Sequence, residues 1–285
     1  MRPKNTTHRN PHTPRAVDNA DWLKTIAIIS VALGHIGYFF IENDHWWSVF
    51  GRLAAPAFFF LLGYAQTRTV PLRWIWLGLI LTLLESSNAN WTWVAPNILL
   101  SFALIRFVRP YVLLLMKRHG WIAFLLLVCA LFAMLPAATK IVDYGAEGWL
   151  WALFGLCQRR YIDGRAAAAN VISGAQGSLL PARTTTEIAS AAVMRILACL
   201  IAAVGYIWQE QVEFSLPQIQ FAVLIVGIVA LSVGLCLFMR GPSRIQPPEP
   251  AAGAVRFIGQ YTLEIYAIQL AGSELIVNLQ PDLDP

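Results

Sequence analysis

Long uninterrupted apolar runs recur along this chain, and they constrain its fold more than any other feature. A helix needs about 20 predominantly apolar residues to cross a bilayer, and roughly 17–25 is the usual range. Runs of that length are 21–41, 47–66, 93–109, 120–138, 188–208, 218–239 and 257–278, and two shorter candidates are 70–85 and 145–158. We therefore predict an all-α, polytopic transmembrane helix bundle with about nine spans, within a range of about eight to ten.

The composition excludes most other classes of protein. Hydrophobic residues make up 57% of the chain and charged residues 13%, which is about half of the charged share in a typical soluble domain. Mean hydropathy is +0.57. These values exclude a disordered chain, a disulfide-rich secreted module and almost any soluble enzyme. The four cysteines lie in or at the end of apolar runs, without metal-ligand spacing, so we predict no metal site.

The distribution of charge predicts the orientation of the spans. In a soluble protein a net charge of +5 would favour nucleic acid as a partner. Here the basic residues lie in short segments between apolar runs, so the lipid bilayer is the expected partner and nucleic acid is not. With nine spans, the arginines of 68–73, 106–118, 159–183 and 240–256 share a side with the N-terminal tail, and most acidic residues lie opposite. We predict a cytoplasmic N-terminus and an outward C-terminus.

The chain is predicted to form one membrane domain with a short tail. Residues 1–20 are polar and basic and form the cytoplasmic tail, and residues 21–285 form a single transmembrane domain. A stretch rich in Ala, Gly and Ser at 159–187 is predicted to be a cytoplasmic loop. No internal repeat is visible, so the sequence gives no support to a transporter built from duplicated halves.

Ionisable residues within the spans are the first candidates for function, because each must find a partner or line a cavity. They are Asp21, Lys24, His35, Arg52, Arg195 and Glu264. His35 lies roughly 16 Å beyond Lys24 along the first helix, in the outer half of the bilayer. Arg52 lies roughly 8–10 Å from the outer side in the second span, so we expect His35 and Arg52 at similar depth.

His35 and Arg52 each have a structural interpretation as well as a functional one. A single His in a span is often a hydrogen-bonded packing residue, and an Arg near an interface often extends its guanidinium to water. Taken together, at matched depth and beside Gly34 and Gly37, they indicate a site. The two glycines leave room for a neighbouring helix or for a ligand.

The remaining polar residues in the spans favour structural roles. Arg195 and Glu264 each lie about two turns into a helix from the cytoplasmic side, and we predict that they form one intramembrane ion pair. Asn97 and Gln269 are amides of the kind that usually joins one helix to another.

Asp21, Lys24 and His35 form a spaced motif: a basic residue three positions after an Asp, then a His eleven positions later. This motif resembles the opening helix of the membrane acyltransferase-3 superfamily. Lys24 in place of Arg, and the run from Gly51 to Tyr64, are more similar to the TraX family, which is named for pilin N-terminal acetylation. An Asn-led helix start at 97–102 and the closing segment 259–269 also resemble that family.

The resemblance implies transfer of an acyl group, typically acetyl from acetyl-CoA, to a hydroxyl or an amine in the bacterial inner membrane. It implies that His35 is the general base, and a neutral imidazole is able to accept a proton at physiological pH. Arg52 is then expected to stabilise the oxyanion or to fix the acceptor. The residues expected to bind substrate or donor are Lys24, Asn97, Tyr266 and Gln269, with Arg68 and Arg73 as further candidates for the phosphates of coenzyme A.

Two positions depart from the family pattern and favour a second interpretation. An Asp usually precedes the His where this chain has Gly34, and the closing helix usually ends in His where this chain has Gln269. A glutamine side chain donates and accepts hydrogen bonds but cannot shuttle a proton at neutral pH. The alternative is therefore a catalytically degenerate subunit with a packing or assembly role in a larger membrane complex. A transporter or channel ranks third, since few polar residues lie at mid-depth.

Overall fold

Ten α-helices make up the regular structure of the described chain. The computed structural model describes residues 15–41, 45–67, 69–88, 94–138, 140–174 and 182–279. The helices are α1 (Asn19–Phe40), α2 (His45–Arg52), α3 (Ala54–Tyr64), α4 (Leu72–Asn88), α5 (Ile98–Ala138), α6 (Gly145–Gly174), α7 (Ala182–Phe214), α8 (Gln218–Leu237), α9 (Ala251–Gln260) and α10 (Thr262–Leu279). These ranges contain no β-strand, which confirms the all-α class for them.

Helix α1 begins at a capping box. The carboxylate of Asp18 accepts a hydrogen bond from the Ala20 N–H at 2.7 Å, and the carboxylate of Asp21 accepts one from the Asp18 N–H at 3.0 Å. Arg15 pairs with Asp21 at 2.5 Å, and Arg240 pairs with Asp18 at 3.3 Å. The acid that opens the sequence motif therefore fixes the N-terminus of its helix.

Two of the predicted spans are interrupted. The run 47–66 divides at Leu53 into α2 and α3, and the run 257–278 divides at Tyr261 into α9 and α10. Pro56 lies in the first turn of α3, where its missing N–H has no partner to lose within the helix.

Helix α5 joins two predicted spans that were expected to be separated by a basic segment. It runs from Ile98 to Ala138 and leaves helical geometry at Gly120, where φ is 54° and ψ is −121°. Positive φ is a conformation that glycine adopts without steric cost. The segment is therefore two helical arms that change direction at Gly120.

The predicted cytoplasmic loop at 159–187 is largely helical. Helix α6 continues to Gly174, and α7 begins at Ala182. The physical reason is local, because the alanines at 166–169 have the highest helix propensity of any residue type and favour continuing α6.

Five helical segments of the described chain are long and apolar enough to cross a membrane. They are Asn19–Phe40, His45–Tyr64, Ile98–Ala138, Thr185–Phe214 and Gln218–Leu237. Many large apolar side chains on these helices are exposed, such as Ile26, Leu126 and Val226. Such a surface is expected where hydrocarbon replaces water as the solvent. The chain is an integral membrane protein whose surface fits a lipid bilayer.

Helix α3 packs closely against α6 through glycines. A Cβ on Gly63 would lie 1.8 Å from the carbonyl oxygen of Ala152, and a Cβ on Gly155 would lie 2.1 Å from that of Phe60. Real Cβ atoms do not approach backbone atoms so closely, so both positions require glycine. The contact fixes the position of α3 against α6.

The order of helices in space differs from their order in the chain. Helix α1 packs against α2, α3, α9 and α10, and α10 also packs against α4. Helix α7 packs instead against α5, α6 and α8. The C-terminal helix therefore returns to the N-terminal part of the bundle.

Candidate functional site

Helices α1 and α2 cross at two glycines. A Cβ on Gly34 would lie 2.9 Å from the Cα of Gly51, and a Cβ on Gly51 would lie 2.5 Å from the Cα of Gly34. One turn further, a Cβ on Gly37 would lie 2.1 Å from the Cβ of Trp47. A neighbouring helix therefore occupies the room that the glycines leave. An Asp at position 34 does not fit unless α2 moves.

A cavity of about 830 Å³ lies beside this crossing, and both His35 and Arg52 line it. Each of them directly follows a crossing glycine, Gly34 or Gly51. The other walls come from α3, α4, α5, α7 and α10 and from the segments 94–95 and 143–144. The structure thus brings together the two residues that the sequence selected as a site.

The imidazole of His35 is packed against aromatic rings. Its centroid lies 5.7 Å from that of Tyr266 and 6.1 Å from that of Phe39. Its Nδ1 atom is buried and has no hydrogen-bond partner among the described residues. A buried nitrogen without a partner is costly, so packing alone does not satisfy this side chain. No described residue fixes its tautomer through Nδ1.

The guanidinium of Arg52 is held by protein groups and does not extend freely to water. Its Nε lies 3.4 Å from a carboxylate oxygen of Glu210, and its central carbon lies 3.6 Å from the centre of the Phe214 ring. The hydroxyl of Tyr206 donates to the backbone carbonyl of Arg52 at 2.7 Å. These contacts come from α7 and fix Arg52 at the cavity wall.

Four acidic residues from different elements also line the cavity. They are Glu85 on α4, Asp143 in the turn before α6, Glu213 on α7 and Glu274 on α10. The predicted orientation places most acidic residues opposite the N-terminal tail, Glu85, Asp143 and Glu213 among them, but it does not predict that they lie near His35. The sequence signal that could have linked these three acids is that all of them lie on the same predicted side of the membrane. The cavity is consequently acidic, since its cation, Arg52, is already paired.

Asp143 is held at the start of two helices. The backbone N–H groups of Ile98 and Tyr144 donate to its carboxylate. Burial raises the pKa of Asp143 to about 6 from the ordinary 3.8, because removal from water disfavours the charged form, and the nearby Arg52 opposes this shift.

Asn97 connects three helices without lining the cavity. Its side-chain oxygen accepts from the Leu99 N–H at 3.2 Å and so caps α5. Its side-chain nitrogen lies 3.3 Å from an oxygen of Glu85 and 3.5 Å from the hydroxyl of Tyr266. Tyr266 and Glu85 do line the cavity. Asn97 therefore positions two cavity residues, which agrees with its interpretation as an amide that joins helices.

Like Asn97, two other predicted binding residues do not line the cavity. The ammonium of Lys24 donates to the backbone carbonyl of Gly259 at 2.8 Å, at the junction of α1 and α9. Gln269 is half-buried on α10 and is not among the lining residues. Tyr266, three residues earlier, does line the cavity and contacts His35.

The predicted ion pair between Arg195 and Glu264 does not form. Arg195 donates to the side-chain oxygen of Gln158 at 3.0 Å and lies over the ring of Tyr161. Glu264 pairs instead with Arg73 at 2.6 Å. The physical reason is the helix order, because α7 packs against α5, α6 and α8 whereas α10 packs against α1 and α4.

The charge of the cavity limits which chemical groups it is able to hold. Four carboxylic residues and one paired arginine do not suit the phosphates of coenzyme A, whereas an uncharged acetyl thioester is compatible with this lining. Two arginines were further candidates for holding those phosphates. Arg73 pairs with Glu264, and its side chain is 60% exposed. Arg68 lies outside the described residues. No cluster of His, Cys, Asp or Glu in the described ranges has the arrangement of a metal site.

The chain was compared with known proteins at three levels. The sequence profile described as TraX protein matches residues 19–226. The match begins with α1 and includes His35, the α1–α2 crossing and Asp143, and it ends before α10. Comparison with curated proteins and with solved structures gives no match. The profile covers well over half of the sequence, and the chain therefore belongs to the TraX family.

Proposed function

We propose that the protein is an integral-membrane acyltransferase, which transfers acetyl from acetyl-CoA to a hydroxyl or an amine. The observation that carries the proposal is His35, whose ring lines a cavity of about 830 Å³ while its Nδ1 has no hydrogen-bond partner among the described residues. The chain belongs to the TraX family, and the resemblance of its opening and closing motifs to that family implies the same reaction class. A purely structural His would be expected to use its polar atoms in the packing.

His35 acts as the general base in this proposal. It accepts the proton from the acceptor hydroxyl or amine as that group becomes the nucleophile. Arg52, fixed by Glu210, places positive charge where the oxyanion develops. Tyr266 orients the imidazole through its ring contact. An acetyl thioester, when bound, supplies a carbonyl carbon that is activated toward attack.

We also propose the topology that the charge distribution predicts. It has about nine spans, a cytoplasmic N-terminus and a location in the bacterial inner membrane. The lining residues His35, Arg52, Glu85, Asp143 and Glu213 then all belong to the outer half of the bundle. The acceptor reaches the site from that side.

The experiment that tests the proposed reaction supplies radiolabelled acetyl-CoA to membrane vesicles that contain the full chain. We expect His35→Ala to lower the rate of label transfer by about 10²-fold or more, while the amount of folded protein in the membrane is unchanged. His119→Ala is the matched control, because His119 is exposed near the kink of α5 and lies outside the cavity. Full transfer by the His35 variant would contradict the mechanism.

A second candidate function is a catalytically degenerate TraX-like subunit with a packing or assembly role in a larger membrane complex. The contact between Gly34 and Gly51 favours it, because this crossing leaves no space for the Asp that usually precedes the His. This alternative predicts co-purification with other membrane subunits in fixed stoichiometry. It also predicts that titration calorimetry detects no binding of acetyl-CoA.

A further inference from the structure

Two glutamates from neighbouring helices are buried beside Arg52. Glu147 on α6 is 3% exposed and Glu210 on α7 is 1% exposed. Neither lines the cavity. Glu210 contacts the guanidinium of Arg52 at 3.4 Å, and Glu147 interacts electrostatically with both, so two buried acidic groups share one guanidinium inside the protein.

The charges of this cluster do not balance if both glutamates are ionised. Arg52 attracts both carboxylates, and the two carboxylates repel each other. Apart from Arg52, the described groups that act most strongly on the two glutamates are acids or phenols: Asp143, Tyr144, Tyr206 and Glu213. One guanidinium offsets one carboxylate, so a second buried negative charge is costly in a medium of low dielectric constant.

The hydrogen bonds of Glu147 also indicate that the two glutamates are not both ionised. One carboxyl oxygen of Glu147, Oε2, is buried and has no partner among the described residues. A charged carboxylate there would leave a lone pair unsatisfied. A protonated carboxyl has an O–H donor, and a neighbouring carboxylate is a strong acceptor for it.

We propose that Glu147 and Glu210 share one proton, so that their cluster with Arg52 is neutral and the remaining negative charge holds the guanidinium at the cavity. The pair is a proton-holding site that goes beyond acyl transfer, and both glutamates are positioning residues for Arg52. Two carboxyl groups so coupled titrate as a pair, and either one is able to carry the charge.

Sharing one charge makes each glutamate replaceable by an uncharged isostere, but not both together. In Glu147→Gln, Glu210 stays ionised beside Arg52. In Glu210→Gln, Glu147 loses its proton and takes over the charge. The double variant leaves Arg52 buried without a carboxylate, which is strongly destabilising.

The test uses the full chain in detergent at neutral pH and combines infrared spectroscopy with thermal unfolding. Difference spectra should show the carbonyl stretch of a protonated carboxylic acid, sensitive to D₂O, in wild type but lost in each single variant. The Tm of the double variant should fall by more than the sum of the two single losses. Addition of Arg52→Gln to the double variant should restore part of that loss.

Glu213→Gln is the matched control, since Glu213 lies one turn from Glu210 on α7 but is exposed. It should keep the infrared band. The proposal is overturned if the band persists in both single variants, or if the two losses in Tm are additive. The infrared measurement on Glu147→Gln decides the question even if the double variant does not fold.

Discussion

The environment of His35 combines an uncharged aromatic contact with an acidic cavity. Tyr266 and Phe39 hold the ring, while four carboxylic residues share the cavity with it. Arg52, the cation in the lining, is paired with Glu210. The cavity is thus suited to a neutral or cationic ligand and poorly suited to an anionic one.

Gly34 is the residue whose substitution most directly tests the helix crossing. We expect Gly34→Ala to lower the free energy of unfolding by about 1–3 kcal/mol, because its Cβ would lie 2.9 Å from the Cα of Gly51. Gly272→Ala is the control, because nothing lies within 4 Å of a Cβ there. Thermal unfolding in detergent measures both, and equal Tm values for the two variants would contradict the close crossing.

Asp143→Asn should change how stability depends on pH. The pKa of about 6 lies above the ordinary 3.8, so between those values the folded state binds more protons than the unfolded state. The free energy of unfolding therefore falls as pH rises through this window. At higher pH the wild type bears the whole cost of burying the ionised Asp143 carboxylate, whereas asparagine carries no charge and has no such cost.

The measurement is the Tm of Asp143→Asn and of wild type at about pH 4 and about pH 7. We expect the difference, variant minus wild type, to become more positive at the higher pH. A difference that is independent of pH would show that Asp143 is not the group that titrates.

At the scale of the helices, the sequence predicted where helices occur better than where they end. A helix is predicted from the apolar character of many residues together, so no single residue decides whether it is found. The breaks at Leu53, Gly120 and Tyr261, by contrast, depend on local backbone geometry and packing. The extension of α6 through 166–169 follows from the helix propensity of alanine. Hydropathy alone does not reveal it.

The contact between α3 and α6 gives the prediction at this scale. Gly63→Ala should destabilise the bundle by about 1–3 kcal/mol or more, since its Cβ would lie 1.8 Å from a backbone oxygen of Ala152. Gly234→Ala on α8 meets no atom within 4 Å and should leave stability unchanged or slightly raised. Chemical or thermal unfolding compares the two. A tolerated Gly63→Ala would disprove the tight packing of α3 on α6.

At the scale of the whole molecule, the order of helices in space was the information that the sequence lacked. Depth in the membrane follows from counting residues along a helix, and it correctly placed His35 and Arg52 together. Adjacency of distant helices does not follow from depth. For this reason the Arg195–Glu264 pair was wrong, and the contributions of Glu85 and Asp143 to the cavity were missed.

The proposed orientation predicts which loops face the cytoplasm. In a chain without its native cysteines, Lys140→Cys in the turn before α6 should react with a membrane-impermeant maleimide on intact cells. Arg244→Cys, in the connector before α9, should react only after the membrane is permeabilised. Both positions are exposed. The reverse labelling pattern would invert the proposed topology.

The proposed mechanism requires that the His35 imidazole removes a proton during acyl transfer and is not merely a packing residue. The most direct measurement compares acetyl-CoA binding by calorimetry with the rate of acetyl transfer, in purified wild type and His35→Ala. In the His35→Ala variant we expect unchanged binding and a rate lower by about 10²–10⁴-fold, the usual contribution of a general base. Binding and transfer that are both unchanged, or a loss of rate that merely follows a loss of folded protein, would contradict it.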